Sequence, residues 1–130
     1  MQSDKKKILI VEDQKIIALD LKKSLKNRGY EIAGICDNAE DAIKLTEENH
    51  PDLILMDIML NGKLNGIETA ELINKEYNIP VIYLTALTDV DTYLKAIKTE
   101  PRKYLMKPVD FESLKRAVEE SLEVNGSDNL

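Results

Sequence analysis

The chain has no tryptophan, one phenylalanine, one histidine and one cysteine in 130 residues. A lone Cys36 rules out an intramolecular disulfide, and its place in the apolar run Ile32-Ala-Gly-Ile-Cys36 predicts a buried, inert thiol, in keeping with a reducing cytoplasm. The lone His50 precedes Pro51 in a predicted loop and receives no role. No window approaches the ~18 continuous apolar residues of a membrane span. The first residues carry no apolar signal core, only Lys5-Lys6-Lys7 leading into a strand. A soluble, cytoplasmic protein without a membrane partner is therefore expected. Positive charge is also in deficit: a net charge of −6 disfavours a broad nucleic-acid footprint, so no nucleic-acid partner is expected and the three lysines read as a solvated lead-in. Repeats, low-complexity segments and linkers are missing. The expected organisation is one domain over residues 1–124 and a polar tail, Asn125–Leu130.

What is present is alternation. Apolar runs at Ile8–Val11, Ile32–Cys36, Leu53–Met56, Val81–Leu84 and Tyr104–Met106 have the length and aliphatic content of strands buried on both faces. Between them lie helical periods. Ile17, Leu21 and Leu25 repeat every fourth residue, while Val90, Tyr93, Leu94 and Ile97, then Phe111, Leu114, Val118 and Leu122, mark faces expected to pack on a sheet. Asn38, Asn65 and Thr88 each stand three residues before an acid, as helix caps do, and Asp110 can cap the last helix. Gly29 ends the first helix and Pro51 separates the second helix from the third strand. This (βα)5 order predicts an α/β fold, a doubly wound parallel five-stranded sheet in a three-layer sandwich, with ligands bound at the carboxyl ends of its strands.

Three acids fall at those ends: Glu12 and Asp13 after the first strand and Asp57 after the third. Thr85 and Lys107 follow the fourth and fifth strands. Two carboxylates about 5 Å apart repel by roughly 3 kcal/mol at an effective dielectric of about 20, so a cation must offset them. Lys107 is one candidate. A hard divalent ion, Mg²⁺ with Mn²⁺ as its substitute, is the more natural one, because it takes carboxylate, water and phosphate oxygens. Carboxylates also form aspartyl phosphates, and Asp57, alone at the end of the most apolar strand, is the best placed to do so.

Four fragments in this order, "VED" at 11–13, "LILMDIML" at 53–60, "VIYLTA" at 81–86 and "YLMKP" at 104–108, resemble the receiver domain of two-component response regulators over essentially the whole chain, a flavodoxin-like, CheY-like fold. The resemblance implies that Asp57 is the phosphoacceptor, Asp13 a direct Mg²⁺ ligand, Glu12 an acid acting on the ion through water, and the Met59 carbonyl a further ligand. It implies that Thr85 is the switch hydroxyl and Lys107 the family's phosphoryl-binding cation, joined to Pro108 by a peptide bond that is usually cis. Tyr104 falls at the aromatic switch position, whose ring turns inward on activation. The donor would be a sensor histidine kinase or phosphotransfer protein. A downstream effector would read the surface of the fourth helix, fifth strand and fifth helix.

The sequence departs from the family at two places. The loop after Asp57 lacks the proline common four residues on and is one residue longer before Gly66, and Thr99-Glu-Pro-Arg-Lys103 replaces the usual Gly-Ala before the last strand. Two other functions compete: a pseudo-receiver serving as an interaction module, which would be expected to have lost part of the constellation, and a haloacid-dehalogenase-like phosphotransferase, which needs an acid where Met59 stands. A signalling domain rather than a dedicated enzyme is expected. Met59 and Leu87, bulky and apolar, are expected to flank the acceptor without orienting an attacking water, which predicts a long-lived phosphorylated form.

Overall fold

The structure is a computed structural model that describes residues 5–86 and 89–127, in side chains as well as backbone except at residues 124–127. Elements alternate strictly: β1 (Lys7–Val11), α1 (Lys15–Asn27), β2 (Glu31–Cys36), α2 (Ala39–Asn49), β3 (Leu53–Asp57), α3 (Gly66–Glu76), β4 (Val81–Thr85), α4 (Val90–Lys98), β5 (Lys103–Met106) and α5 (Phe111–Ser127). The strands form one parallel sheet in the order β2-β1-β3-β4-β5. Strand order thus reverses between β1 and β3, where this class of fold places its ligands. The α5 backbone continues three residues past the expected domain limit at residue 124.

The period-2 pattern of each strand divides the core into two layers. Ile8, Ile10, Leu53, Leu55, Ile82 and Leu84 face α1 and α5, meeting Leu21, Leu25, Leu114 and Val118. Leu9, Val11, Ile54, Met56, Val81 and Tyr83 face α2, α3 and α4. Helices on both faces are what allow β3 and β4 to be buried along their full lengths. Cys36 is buried against the second layer, and loss of solvent pushes its thiol up to about 12, as its inert reading requires.

Caps follow the sequence with one change. Asn38 accepts from the Asp41 amide, and Asn65 and Glu68 form a reciprocal capping box. Asp110 takes the Ser113 amide, and Gly29 follows α1 at φ 93°. Thr88 lies outside the described residues, and the N-cap of α4 is Asp89, whose carboxylate accepts from the Thr92 amide and hydroxyl at 3.2 and 2.8 Å. His50 is exposed and closes α2 at φ 48°, its amide donating to the Thr46 carbonyl. Lys7 is no lead-in but the first residue of β1, its amide fixed by Asp52 at 2.8 Å.

The face of α4 is a second correction. Val90, Tyr93, Leu94 and Ile97, expected against the sheet, are 67, 44, 52 and 41% exposed, and the helix is seated through Ala96 instead. Ala96, fully buried, is the α4 side chain that joins the core layer, and the larger stripe faces outward. Periodicity identifies such a stripe but not what covers it.

Candidate functional site

Parallel pairing carries the chain past the sheet's carboxyl edge in register. The Glu12 amide donates to the Cys36 carbonyl at 2.9 Å and the Lys107 amide to the Thr85 carbonyl at 2.8 Å, each extending its ladder by one rung. The two residues thereby project from the ends of β1 and β5 toward Asp57, the last residue of β3. The carboxylates of Glu12, Asp13 and Asp57 each offer an oxygen within 4.8 Å of the others. Glu12 and Asp57 are each 3% exposed, while Asp13 is half-buried at the rim.

Lys107 Nζ lies 2.8 Å from Glu12 Oε1 and 3.1 Å from Asp57 Oδ2. The first contact is an ion pair without hydrogen-bond alignment, so Glu12 Oε1 stays buried with no hydrogen-bond donor, whereas Oε2 accepts from the Gln14 amide at 3.1 Å. Asp57 Oδ1 accepts from the Met59 amide at 3.0 Å. Burial is the main force on Asp57, followed by the neighbouring Glu12 carboxylate. Together they outweigh Lys107 and push the carboxyl up to about 7. On Lys107 burial acts downward, but the two carboxylates prevail and hold it above the ordinary lysine value.

A lone ammonium thus leaves this acid group under-compensated, with one buried carboxylate oxygen lacking a donor. The donor set is entirely oxygen and mostly anionic, which suits a hard divalent ion. Oxygens on opposite sides of a Mg²⁺ shell stand about 4.2 Å apart, so a spread of 4.8 Å fits a site in which one acid reaches the ion through water. The residues present fit Mg²⁺.

Thr85, fully buried, ends β4 beside Asp57, and Lys107–Pro108 is a cis peptide. Tyr104 is half-buried, edge-on to Tyr83 at 6.5 Å and to Tyr93 at 4.9 Å between centroids. The Met59 side chain is 56% exposed at the mouth, and Leu87 lies outside the described residues.

Sequence reasoning passed over two contributors. A Cβ at Gly66 would collide with the Asp57 carbonyl, so only glycine lets α3 begin against the backbone at the end of β3, with its amide bonded to the Ile58 carbonyl at 2.8 Å. Its signal was the glycine directly after the Asn65 cap. Tyr83, read only as strand, is fully buried, yet its hydroxyl reaches Thr99 Oγ1 at 2.7 Å beyond the end of α4.

Among curated proteins, the chain is 33% identical over 114 residues to the transcriptional regulatory protein PdtaR of Mycobacterium tuberculosis, covering 88% of this chain and 55% of that protein. It is 36% identical over 124 residues to the transcriptional regulatory protein ZraR of Klebsiella oxytoca, covering 94% of this chain and 27% of that protein. The chain thus spans about half the length of the first relative and about a quarter of the second. Among solved structures, the signal receiver domain of a modulated diguanylate cyclase from Desulfovibrio desulfuricans G20 superposes with a TM-score of 0.89 at 37% identity, covering 96% of this chain and 99% of that one. A CheY-like receiver domain protein from Methanospirillum hungatei JF-1 gives 0.89 at 27% identity, with the same two coverages. With the family profile for the response regulator receiver domain matching residues 8–119, nearly the whole described fold, the chain belongs to that family of signalling domains.

Proposed function

We propose that the domain accepts a phosphoryl group on Asp57 from a phosphohistidine, supplied by a sensor histidine kinase or phosphotransfer protein, in a Mg²⁺-dependent reaction. The observation that carries this reading is the convergence of Glu12, Asp13 and Asp57, whose oxygens lie within 4.8 Å of one another, with Lys107 at 2.8 Å from Glu12 and 3.1 Å from Asp57. An Asp57 carboxylate oxygen attacks phosphorus, the P–N bond breaks, and the imidazole leaves with its electron pair and takes a proton. Asp13, Asp57 and the Met59 carbonyl would hold a Mg²⁺ ion, with Glu12 acting on it through water, and the ion would supply charge neutralisation for an anionic donor approaching anionic acids. Lys107 is already within 3.1 Å of Asp57 and needs little movement to hold a phosphoryl oxygen. The Met59 amide on Oδ1 orients the carboxylate and leaves Oδ2 toward Lys107.

The output is a change of the face formed by α4, β5 and α5, with Thr85 drawn to the phosphoryl group and Tyr104 turning behind it, a two-state element biased by the modification. An effector domain or partner would read that face. The complete set of acids, hydroxyl and ammonium favours this over a pseudo-receiver, and Met59 stands where a haloacid-dehalogenase-like enzyme would need its second acid.

The test is incubation with acetyl phosphate and Mg²⁺, followed by intact-mass measurement. The wild type should gain one phosphoryl group and Asp57→Asn none. Equal incorporation in the two proteins overturns the assignment.

A further inference from the structure

At the pole of the sheet opposite the acids, the loop entering β4, the loop leaving α4 and the flank of α5 enclose a cleft of about 590 Å³. Its walls are chemically mixed: Ile79, Pro80 and Pro101 are apolar, while Arg102 and Ser121 bring polar groups. Arg102 is half-buried, and among the described residues its guanidinium joins no ion pair and no hydrogen bond. Ser121 is 1% exposed and its hydroxyl has no hydrogen-bond partner. Buried hydroxyls are ordinarily satisfied, and a guanidinium is built to take two oxygens of one planar group. One buried hydroxyl without a partner and one guanidinium outside any ion pair thus line the same cleft and fit an anionic occupant.

Charge narrows its chemistry. Lys103 is neutralised by Glu120 at 2.7 Å across the cleft wall, leaving Arg102 and the carboxylate of Glu100. Summed over these four side chains the lining is neutral, so one added negative charge can be matched by Arg102, whereas a dianion would meet two carboxylates with one available cation. The apolar walls suit a short hydrocarbon body. Glu100 forms the lip at φ 56°, a left-handed conformation that costs a non-glycine residue energy and fixes the turn ahead of Arg102.

We propose that this cleft binds a small organic monocarboxylate, its carboxylate on Arg102 and Ser121 and its hydrocarbon on Ile79, Pro80 and Pro101. Thr99 lines the same cleft and holds the Tyr83 hydroxyl, while Tyr83 lies edge-on to Tyr104. An occupant therefore bears on the packing around Tyr104. That consequence alone rests on the proposed switch, whereas binding does not.

The experiment titrates the full, unphosphorylated chain with butyrate and follows its amide resonances, so its outcome is independent of phosphoacceptance. Saturable shifts are expected at residues 79, 81, 99, 100, 102, 103, 120 and 121, with affinity about tenfold lower in Arg102→Gln, the loss of one charge-assisted contact. Arg102→Lys should recover part of it and Ser121→Ala should lower it less. Butyramide, succinate and inorganic phosphate should each bind more weakly than butyrate. Absence of saturable shifts, equal affinity in a folded Arg102→Gln, or equal binding of butyramide or the dianions overturns the proposal.

Discussion

Lys107 Nζ sits between two buried carboxylates, 2.8 Å from Glu12 Oε1 and 3.1 Å from Asp57 Oδ2, as the cation of a two-anion bridge. Removing it leaves two acids with nothing between them. Lys107→Met should move the Asp57 carboxyl further above its value of about 7, so that it holds a proton at neutral pH. The carboxyl ¹³C resonance of Asp57, followed against pH without metal, checks this. A midpoint unchanged or lowered in the variant would refute the bridge.

The raised Asp57 value also sets a pH dependence of stability. Because the folded carboxyl titrates at about 7 rather than 3.8, the folded state holds a proton that the unfolded state has released between those values. Stability is therefore highest below the lower value and is lost as pH rises toward and through the upper one, by roughly 2–4 kcal/mol. Urea unfolding of the metal-free chain should show a decline between about pH 4 and 7, the interval between the two values. The decline should be largely removed in Asp57→Asn and offset by Mg²⁺, which binds the ionised form. A flat profile in the metal-free wild type would count against the burial argument.

Gly66→Ala places a methyl group against the Asp57 carbonyl and must displace either α3 or β3. A loss of about 2–3 kcal/mol is expected, in the range of core overpacking. Phosphorylation should slow even at temperatures where the variant is folded. Wild-type rates in a folded Gly66→Ala would show that the close approach does not position the acid.

Tyr83→Phe keeps the ring and deletes the hydroxyl bonded to Thr99 at 2.7 Å. Thr99 Oγ1 retains the Ala96 carbonyl, so the cost should be about 1 kcal/mol, that of one hydrogen bond. Amide exchange should quicken at residues 96–100 and stay unchanged in α2. Uniform acceleration over the whole chain would mean that the bond contributes only to global stability.

The lifetime of the phosphorylated form tests the mouth. With Met59 exposed there and unable to orient water, Met59→Asn combined with Leu87→Glu should speed autodephosphorylation about tenfold, equivalent to ~1.4 kcal/mol of barrier. Equal or slower decay in the double variant would sink the idea.

The five strands and the meeting of Glu12, Asp13, Asp57 and Lys107 were legible in the sequence because each depends on something local. A short aliphatic run ended by a polar residue becomes a buried strand with that residue at its end, and alternation with helices orders the strands in parallel. The exposed stripe of α4 was not legible. Its spacing matches that of a buried face, yet Ala96 is the α4 side chain that joins the core layer and the stripe faces outward. Neither was the need for Gly66, since the close approach of α3 to Asp57 is a tertiary fact carried by one missing methyl group. The bond between Tyr83 and Thr99 spans sixteen residues and joins a core side chain to a loop, which no period encodes.

The edge-on rings of Tyr83, Tyr104 and Tyr93 make this chain a reporter of its own state. Without tryptophan, its near-ultraviolet absorption comes almost wholly from five tyrosines, three of them in this one contact series. Aromatic transitions so close couple with a sign and strength set by their mutual angles, now 68° and 84°. A rotation of Tyr104 alone would change both angles. The near-ultraviolet circular dichroism of the unlabelled protein therefore carries the position of that ring.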